Sequence, residues 1–373
     1  MNIGIDARLL ERKITGIGRF LSNFLTQLPY VDSSNVYYLF TYQNLNIFSL
    51  PIHNVPTGKK LFHEKLYTPI WTNFVLPKYL KRYNIDIFFS ANKIIPFRKD
   101  GKIKYISVVH DVFYKIDSSF HSIFYRKYLD IFLQIALKKS DLILTVSENS
   151  KKDIISFFNI SETKIRVIYE AAAEDFYPYK LSLEEKMAII DKYKLSEKFI
   201  LYVGVIENRK NILGILKIAD LVYENTRDLK FLLVGRSGYG GKNLLEEIKK
   251  RKNVIYLSYL EDSILKKIFS IARAFLFPSF YEGFGLPPLE AMQSGTPVLV
   301  SNTSSLTEVI DSGGIRHDPT DFQAFHNDLI KLVEDDEYYL EWRNKGIKRS
   351  KEFSNYKTSK SIVEVFNSMK SNI

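Results

Sequence analysis

The chain predicts an α/β protein of two doubly wound domains, each a parallel sheet wrapped by helices. Three observations predict it. Short apolar runs of strand length alternate with segments of helical periodicity along the chain. The scheme runs twice, and a polar stretch near residues 175–182 separates the two runs. A length of 373 residues exceeds one ordinary core and fits two.

In order, residues 1–6 read as a short buried strand, and residues 18–28 as a helix with Phe20, Phe24, Leu25 and Leu28 on one face. Residues 37–41 are a strand. Residues 61–83 are largely helical and are expected to break at Pro69 and Pro77, because proline lacks the N–H and clashes with the turn before it. Strands follow at 85–90 and 104–110, a helix at 122–138 and a strand at 142–146. Ser147 caps a helix running to Phe158, and the strand 165–168 closes the first half. The second half gives strands at 199–203, 229–234, 254–257, 274–277 and 298–300. Its helices fall at 212–224, 242–252, 262–271, 288–294, 321–333 and 336–351. The expected organisation is a first domain over 1–175, a linker over 176–198 and a second domain over 199–351. Ligands of such sheets bind beyond the carboxyl ends of the strands, which places a cleft between the two domains.

Composition narrows the class. Hydrophobic residues make up 46% and charged residues 25%, as in globular proteins. The absence of cysteine excludes disulfides and cysteine-ligated zinc. No apolar run reaches the roughly 18 residues of a membrane span. Met1-Asn2-Ile3-Gly4-Ile5-Asp6 lacks the pattern of a signal peptide, so a cytoplasmic location is expected. The net charge of +11 is uneven: residues 1–180 hold 25 Lys+Arg against 16 Asp+Glu, and residues 181–373 hold 28 against 26. The basic first half reads either as a face for an anionic partner, such as a membrane surface or a phosphorylated acceptor, or simply as solubility. No aromatic-interleaved basic stripe supports nucleic-acid binding.

The most specific signal is Tyr281-Glu282-Gly283-Phe284-Gly285-Leu286-Pro287-Pro288-Leu289-Glu290, followed by Gly295-Thr296-Pro297. Gly283 and Gly285 permit positive φ and close approach of a ligand to the backbone. Pro287 and Pro288 suit the opening of a helix. A helix amino end favours an anion such as a phosphate, and Glu282 and Glu290 can accept hydrogen bonds from hydroxyls. A phosphate flanked by hydroxyl-bearing sugars is a nucleotide sugar. Earlier, Gly204-Val205-Ile206-Glu207-Asn208-Arg209-Lys210 follows a strand and offers an arginine fork beside a lysine, which suits a diphosphate. In the first half, Asp6-Ala7-Arg8 and Thr15-Gly16-Ile17-Gly18-Arg19 suggest a glycine loop. It fails the dinucleotide fingerprint because Leu21 stands where a third glycine belongs. Arg19 either touches an acceptor phosphate or begins a helix. His110-Asp111 ends a strand, where a histidine faces ligands more often than not.

These residues resemble the E-x7-E signature of retaining glycosyltransferases of family four, of the bacterial surface-polysaccharide type, and the likeness covers nearly the whole chain. It implies the GT-B fold, with residues 352–373 returning as a helix onto the first domain. It implies that Arg209 and Lys210 hold the leaving diphosphate and that Glu290 holds the donor ribose. Glu282 and His110 would then contact the transferred sugar, while Gly283, Phe284, Gly285 and Leu286 line the donor with Gly204, Gly16 and Gly18. The implied reaction moves a hexose, mannose- or rhamnose-like, from a nucleoside diphosphate sugar to a glycan or lipid-linked glycan of a lipopolysaccharide or capsule. No cofactor or metal is expected, since no Asp-x-Asp motif occurs. One departure stands out: many members of the family it resembles carry Asn-Gly after the strand 165–168, and here the chain reads Tyr169-Glu170-Ala171. The alternatives are a GT-B nucleotide-sugar 2-epimerase and a non-catalytic glycan-binding subunit.

Overall fold

Why each half becomes a layered sheet is visible in its strands, which are apolar on both faces. The structure is a computed structural model describing residues 1–11, 16–45, 52–58, 64–116 and 123–370. It contains two compact units. One comprises Met1–Lys115, Ser122–Glu170 and Asn355–Ile373, and the other is built on Ala171–Ser354.

Among the described residues, the first unit holds seven strands: β1 Asn2–Asp6, β2 Val36–Thr41, β3 Ile52–Pro56, β4 Ile87–Ser90, β5 Lys104–Val109, β6 Leu142–Thr145 and β7 Ile165–Val167. Their order is β3-β2-β1-β4-β5-β6-β7, every pair parallel. Alternation sorts the side chains to two faces. Ile3, Ile5, Tyr37, Leu39, Ile87 and Phe89 face the helix Gly16–Val31 and the helix Asn355–Lys370, which contributes Ile362 and Phe366. Phe40, Phe88 and Tyr105 face Trp71 and Leu80 on the other side. The Phe366 ring meets Phe24 and Phe89 edge-on, so the C-terminal helix belongs to this core.

Two expectations for this unit are corrected. Proline does not break the helical stretch. Glu64–Ile70, with Pro69 inside it, and Leu76–Arg82 are joined by one wide π turn, Trp71–Val75, closed by the Leu76 N–H donating to Trp71 O. Pro77 sits in the first turn of the following helix, where its missing N–H costs little. Residues 61–63 lie outside the described residues. The glycine loop at 16–18 is also corrected: Gly16 opens the helix Gly16–Val31 and Gly18 is buried in its first turn. Burial of Phe20, Phe24 and Leu28 outweighs a helix-propensity cost of about 1 kcal/mol per glycine. Thr15 lies outside the described residues.

The second unit holds β8 Phe199–Val203, β9 Lys230–Val234, β10 Val254–Leu257, β11 Ala274–Phe277, β12 Val298–Ser301 and β13 Ile315–His317. They run parallel in the order β10-β9-β8-β11-β12-β13. Stacked rings of Phe269, Phe275, Phe277 and Tyr202 form the spine of this core. Much of the stretch expected as linker is the helix Leu183–Tyr193. Ser182 accepts from the Glu185 N–H while Glu185 accepts from the Ser182 N–H, a reciprocal cap written in the sequence as S-x-x-E.

Both sheets reverse their winding at one point, between β1 and β4 in the first and between β8 and β11 in the second. Loops leaving the carboxyl ends of such strand pairs are where doubly wound sheets gather ligands.

Candidate active site

At the second unit's switch point, β8 delivers Arg209 and Lys210, and β11 delivers Glu282. The chain leaves β8 through Gly204, makes a tight turn at Asn208–Lys210 and enters the helix Ile212–Asn225 at Asn211. Asn211 takes a left-handed φ of 55° and caps that helix by accepting from the Gly214 N–H. Its amide also donates to Pro319 O at 2.7 Å. These bonds fix the two residues before it. The neighbouring loop is locked on as well. Gly235, at φ +152°, lies so close to Gly204 that a Cβ would fall 1.8 Å from the Gly204 carbonyl oxygen, and only glycine fits.

Lys210 Nζ donates to both carboxylate oxygens of Glu282, at 2.6 and 2.7 Å. Arg209 stands 3.5 Å from the same carboxylate, bonds Glu207 through Nε at 3.0 Å and donates to Tyr281 O at 3.1 Å. Lys210 and Glu282 are both buried. Burial pushes the Lys210 ammonium below the usual lysine range, and the Glu282 carboxylate only partly offsets this. Tyr202, wholly buried beside Glu282 and Glu207, is held well above the usual phenol range, first by burial and then by those carboxylates. Two cations thus converge on one carboxylate in a setting where electrostatic interactions are strong.

The Glu282 loop is positioned by residues that sequence reasoning missed. Ser304 accepts from the Glu282 N–H at 2.9 Å, and Ser305 donates to the carbonyls of Glu282 and Phe284 at 3.0 and 2.8 Å. Both serines follow β12, and nothing but that place after a central strand marked them. Glu207, the second carboxylate on Arg209, was quoted within its motif without a role. Gly285 caps the helix Leu286–Gln293 with φ +108°, and a Cβ there would meet Leu306 Cδ2 at 2.8 Å. Pro287 and Pro288 carry no N–H, which leaves the amides of Gly285 and Leu286 at this helix end. Glu290 lies buried on the same helix. Arg209, Lys210, Glu282, Gly285 and Leu286 are therefore gathered by two loops and one helix of a single unit, held by the loops after β9 and β12.

Gly16, Gly18, Arg19, His110 and Asp111 belong to the first unit. His110 leaves β5 with both ring nitrogens engaged, Nδ1 with Glu170 Oε1 at 2.7 Å and Nε2 with Ala91 O at 3.1 Å. The Phe20 ring stands edge-on at 5.3 Å, and Ser150 Oγ donates to His110 O at 3.0 Å. Ser147 caps the helix Glu148–Phe158 by accepting from the Ser150 N–H, as its sequence indicates. Glu170, the residue that departs from the Asn-Gly pattern, is the partner that motif reading could not supply.

Two family models match the chain: "Glycosyl transferases group 1" over residues 185–349 and "Glycosyltransferase Family 4" over residues 16–173. The chain is 33% identical over 282 residues to O-antigen chain mannosyltransferase B of Escherichia coli, covering 74% of this chain and 72% of that protein. It is 28% identical over 278 residues to the serotype-specific mannosyltransferase WbdA of Escherichia coli, covering 70% of this chain and only 33% of that longer protein. Among solved structures, it superposes on sucrose-phosphate synthase from Thermosynechococcus elongatus with a TM-score of 0.78, 16% identity and 100% coverage of both chains. It superposes on HepE from Anabaena, crystallised with UDP-glucose, with a TM-score of 0.72, 16% identity and coverage of 99% and 100%. At these identities the structural likeness speaks for the fold alone, which is GT-B.

Proposed function

The chain belongs to the family-four glycosyltransferases, and we propose that it moves a mannose-like hexose from a nucleoside diphosphate sugar to a hydroxyl of a growing surface glycan, with retention at the anomeric carbon. The observation that carries this reading is Glu282 holding Lys210 and Arg209 beside the glycine-capped end of the Leu286–Gln293 helix. Mannose rests on the two mannosyltransferases to which the chain is similar. A nucleoside diphosphate sugar rests on HepE, a protein of the same fold crystallised with one.

Glu282 and Glu207 balance the two cations, and Glu282 is the carboxylate that both of them share. A diphosphate entering this loop pair exchanges for part of their contact with Glu282. The bond from the anomeric carbon to the diphosphate oxygen then breaks with its electron pair on the diphosphate, where Arg209, Lys210 and the Leu286 amide receive the charge. The acceptor hydroxyl attacks the same face, and its proton passes to the departing phosphate oxygen. Glu282, freed from Lys210, accepts from a hydroxyl of the sugar, Glu290 holds the ribose, and His110 donates to the transferred sugar. The cation pair supplies the charge that a divalent metal supplies elsewhere, so transfer is metal-independent. The reaction runs in the cytoplasm, and the basic first half, 25 Lys+Arg against 16 Asp+Glu over residues 1–180, draws the enzyme to an anionic membrane face.

A thermal-shift panel of GDP-, UDP-, ADP- and dTDP-sugars tests the donor class, since a ligand at about 100 times its Kd stabilises by about 2.7 kcal/mol. One nucleotide should raise Tm in the presence of EDTA. NMR of the product should show the anomeric configuration of the donor. Release of a sugar nucleotide with altered sugar and no acceptor would assign the chain to isomerisation instead. Vesicles containing anionic lipid should bind the protein at low salt and lose it at high salt.

A further inference from the structure

Glu170 follows β7 at the end of a continuous stretch of the first unit, and the structure gives this glutamate something to do. Resting on the reading that His110 serves the transferred sugar, we propose that Glu170 is a positioning residue for that histidine. Glu170 holds ring Nδ1–H so that Nε2–H is the one donor free to turn from the Ala91 carbonyl to a sugar hydroxyl.

The ring is constrained on every side. Ala91 O is a carbonyl and only accepts, so at 3.1 Å the Nε2 atom donates. Glu170 Oε1 lies 2.7 Å from Nδ1 and, as a carboxylate, accepts there too. Which nitrogen meets a substrate is set by the bond that the other one makes. Of the two bonds, the one to Glu170 is short and to a buried carboxylate, whereas the one to Ala91 is long and to a neutral backbone oxygen. The weaker bond is therefore the one exchanged.

Glu170 is itself anchored. Thr358, on the C-terminal helix Asn355–Lys370, donates to Tyr169 O at 2.8 Å and fixes the backbone one residue upstream. The Phe20 ring edge closes one flank of the imidazole. A fixed path thus runs from Thr358 through Tyr169 and Glu170 to His110, and the chain passes into the second unit directly after Glu170.

A double-mutant cycle with a spectroscopic readout tests the proposal on the full chain. Glu170→Ala should lower kcat by about 10²-fold, the cost of misplacing a group by about 1 Å, with donor KM nearly unchanged. In a His110→Ala background, the same change should alter kcat by less than about twofold, because Glu170 acts only through the ring. Nitrogen-15 spectra of histidine-labelled protein, assigned by subtracting the His110→Gln spectrum, should show an Nδ1–H at His110 that is lost in Glu170→Ala. Glu170→Gln, whose amide keeps the shape and one acceptor, should retain the Nδ1–H and most of kcat, and it serves if the alanine variant fails to fold. An Nδ1–H signal that persists in Glu170→Ala would overturn the proposal, as would an equal loss of kcat with and without His110. A loss in His110→Ala with none in Glu170→Ala would overturn the proposal alone. Normal transfer by His110→Ala would overturn the histidine's role along with it.

Discussion

At the carboxyl end of β1, Arg8 is saturated. It bonds Asp6 in a fork at 2.8 and 2.7 Å, donates to Tyr42 at 2.8 Å and lies 3.7 Å over the Trp71 ring. At the carboxyl end of β8, Lys210 is held by Glu282, which Arg209 shares while also pairing with Glu207. Both places sit at a switch point of a parallel sheet, and both bury a cation. The first is closed around its charges by an aromatic wall and a phenol. The second sets two cations on a shared Glu282, with Glu207 on Arg209, close in the chain to the glycine-capped start of the Leu286–Gln293 helix. The same topology thus builds a buried ion pair in each unit, one carboxylate to each cation, and the surroundings differ: an aromatic ring and a phenol in the first, a shared carboxylate and a glycine-capped helix in the second. Burial pushes the Arg8 guanidinium down, yet the Asp6 carboxylate more than offsets it and holds Arg8 above its ordinary value. For Lys210 burial wins.

The contrast can be broken by substitution, the largest effect first. Arg209→Ala or Lys210→Ala should lower kcat by about 10³-fold, the scale of losing a preorganised donor to developing charge. Circular dichroism should show the fold kept in Arg209→Ala. If either variant transfers at near-normal rates, the leaving-group role is wrong. Arg8→Met should act on stability instead. It strands Asp6 as a buried, unpaired carboxylate and should cost about 3–5 kcal/mol in a denaturant titration, with kcat per folded molecule little changed. A large loss of kcat in folded Arg8→Met would move the first switch point from structure to chemistry.

A third test concerns Asp32, which accepts from Ser34, Asn35 and Tyr37 ahead of β2. Burial pushes its carboxyl up, but the hydrogen bonds led by Tyr37 outweigh it and hold the group below the usual aspartate range. A depressed carboxyl contributes stability above its unfolded value and loses it as pH falls through the folded one. Asp32→Asn should therefore cost about 1–3 kcal/mol at neutral pH. The gap in Tm between variant and wild type should shrink as pH drops below about 4. A gap independent of pH would show that shape alone matters there. Smallest, Ser182→Ala should cost about 1 kcal/mol by removing one half of a reciprocal cap, read in the same titration.

What was legible followed from local physics. Central strands such as Phe199–Val203 and Ala274–Phe277 are unbroken apolar runs, because both faces are covered, and their boundaries read directly. The strands that escaped notice, Ile52–Pro56 and Ile315–His317, are the edges beside β2 and β12. An edge strand pairs on one side, and these two carry histidine, asparagine, arginine or proline that blur the pattern. The helix Leu183–Tyr193 was hidden by its mean polarity, although its cap was spelled out. In the site, glycine and proline positions were readable because backbone geometry demands them, as Gly285 at φ +108° does.

By itself, the sequence determined two doubly wound sheets, the cations of the 209–210 turn, the paired carboxylates at 282 and 290, and the glycine cap between those carboxylates. These rest on periodicity, φ preference and charge, all local to a few residues. Only the tertiary structure decided that Lys210 and Glu282, 72 residues apart, share a bidentate contact. It likewise assigned Glu170 to His110, 60 residues away, and Arg8 to the face of Trp71. A side chain's propensity reports on its own backbone. Which carboxylate a cation meets depends on the order in which strands are laid into the sheet, and the packing of the whole unit selects that order.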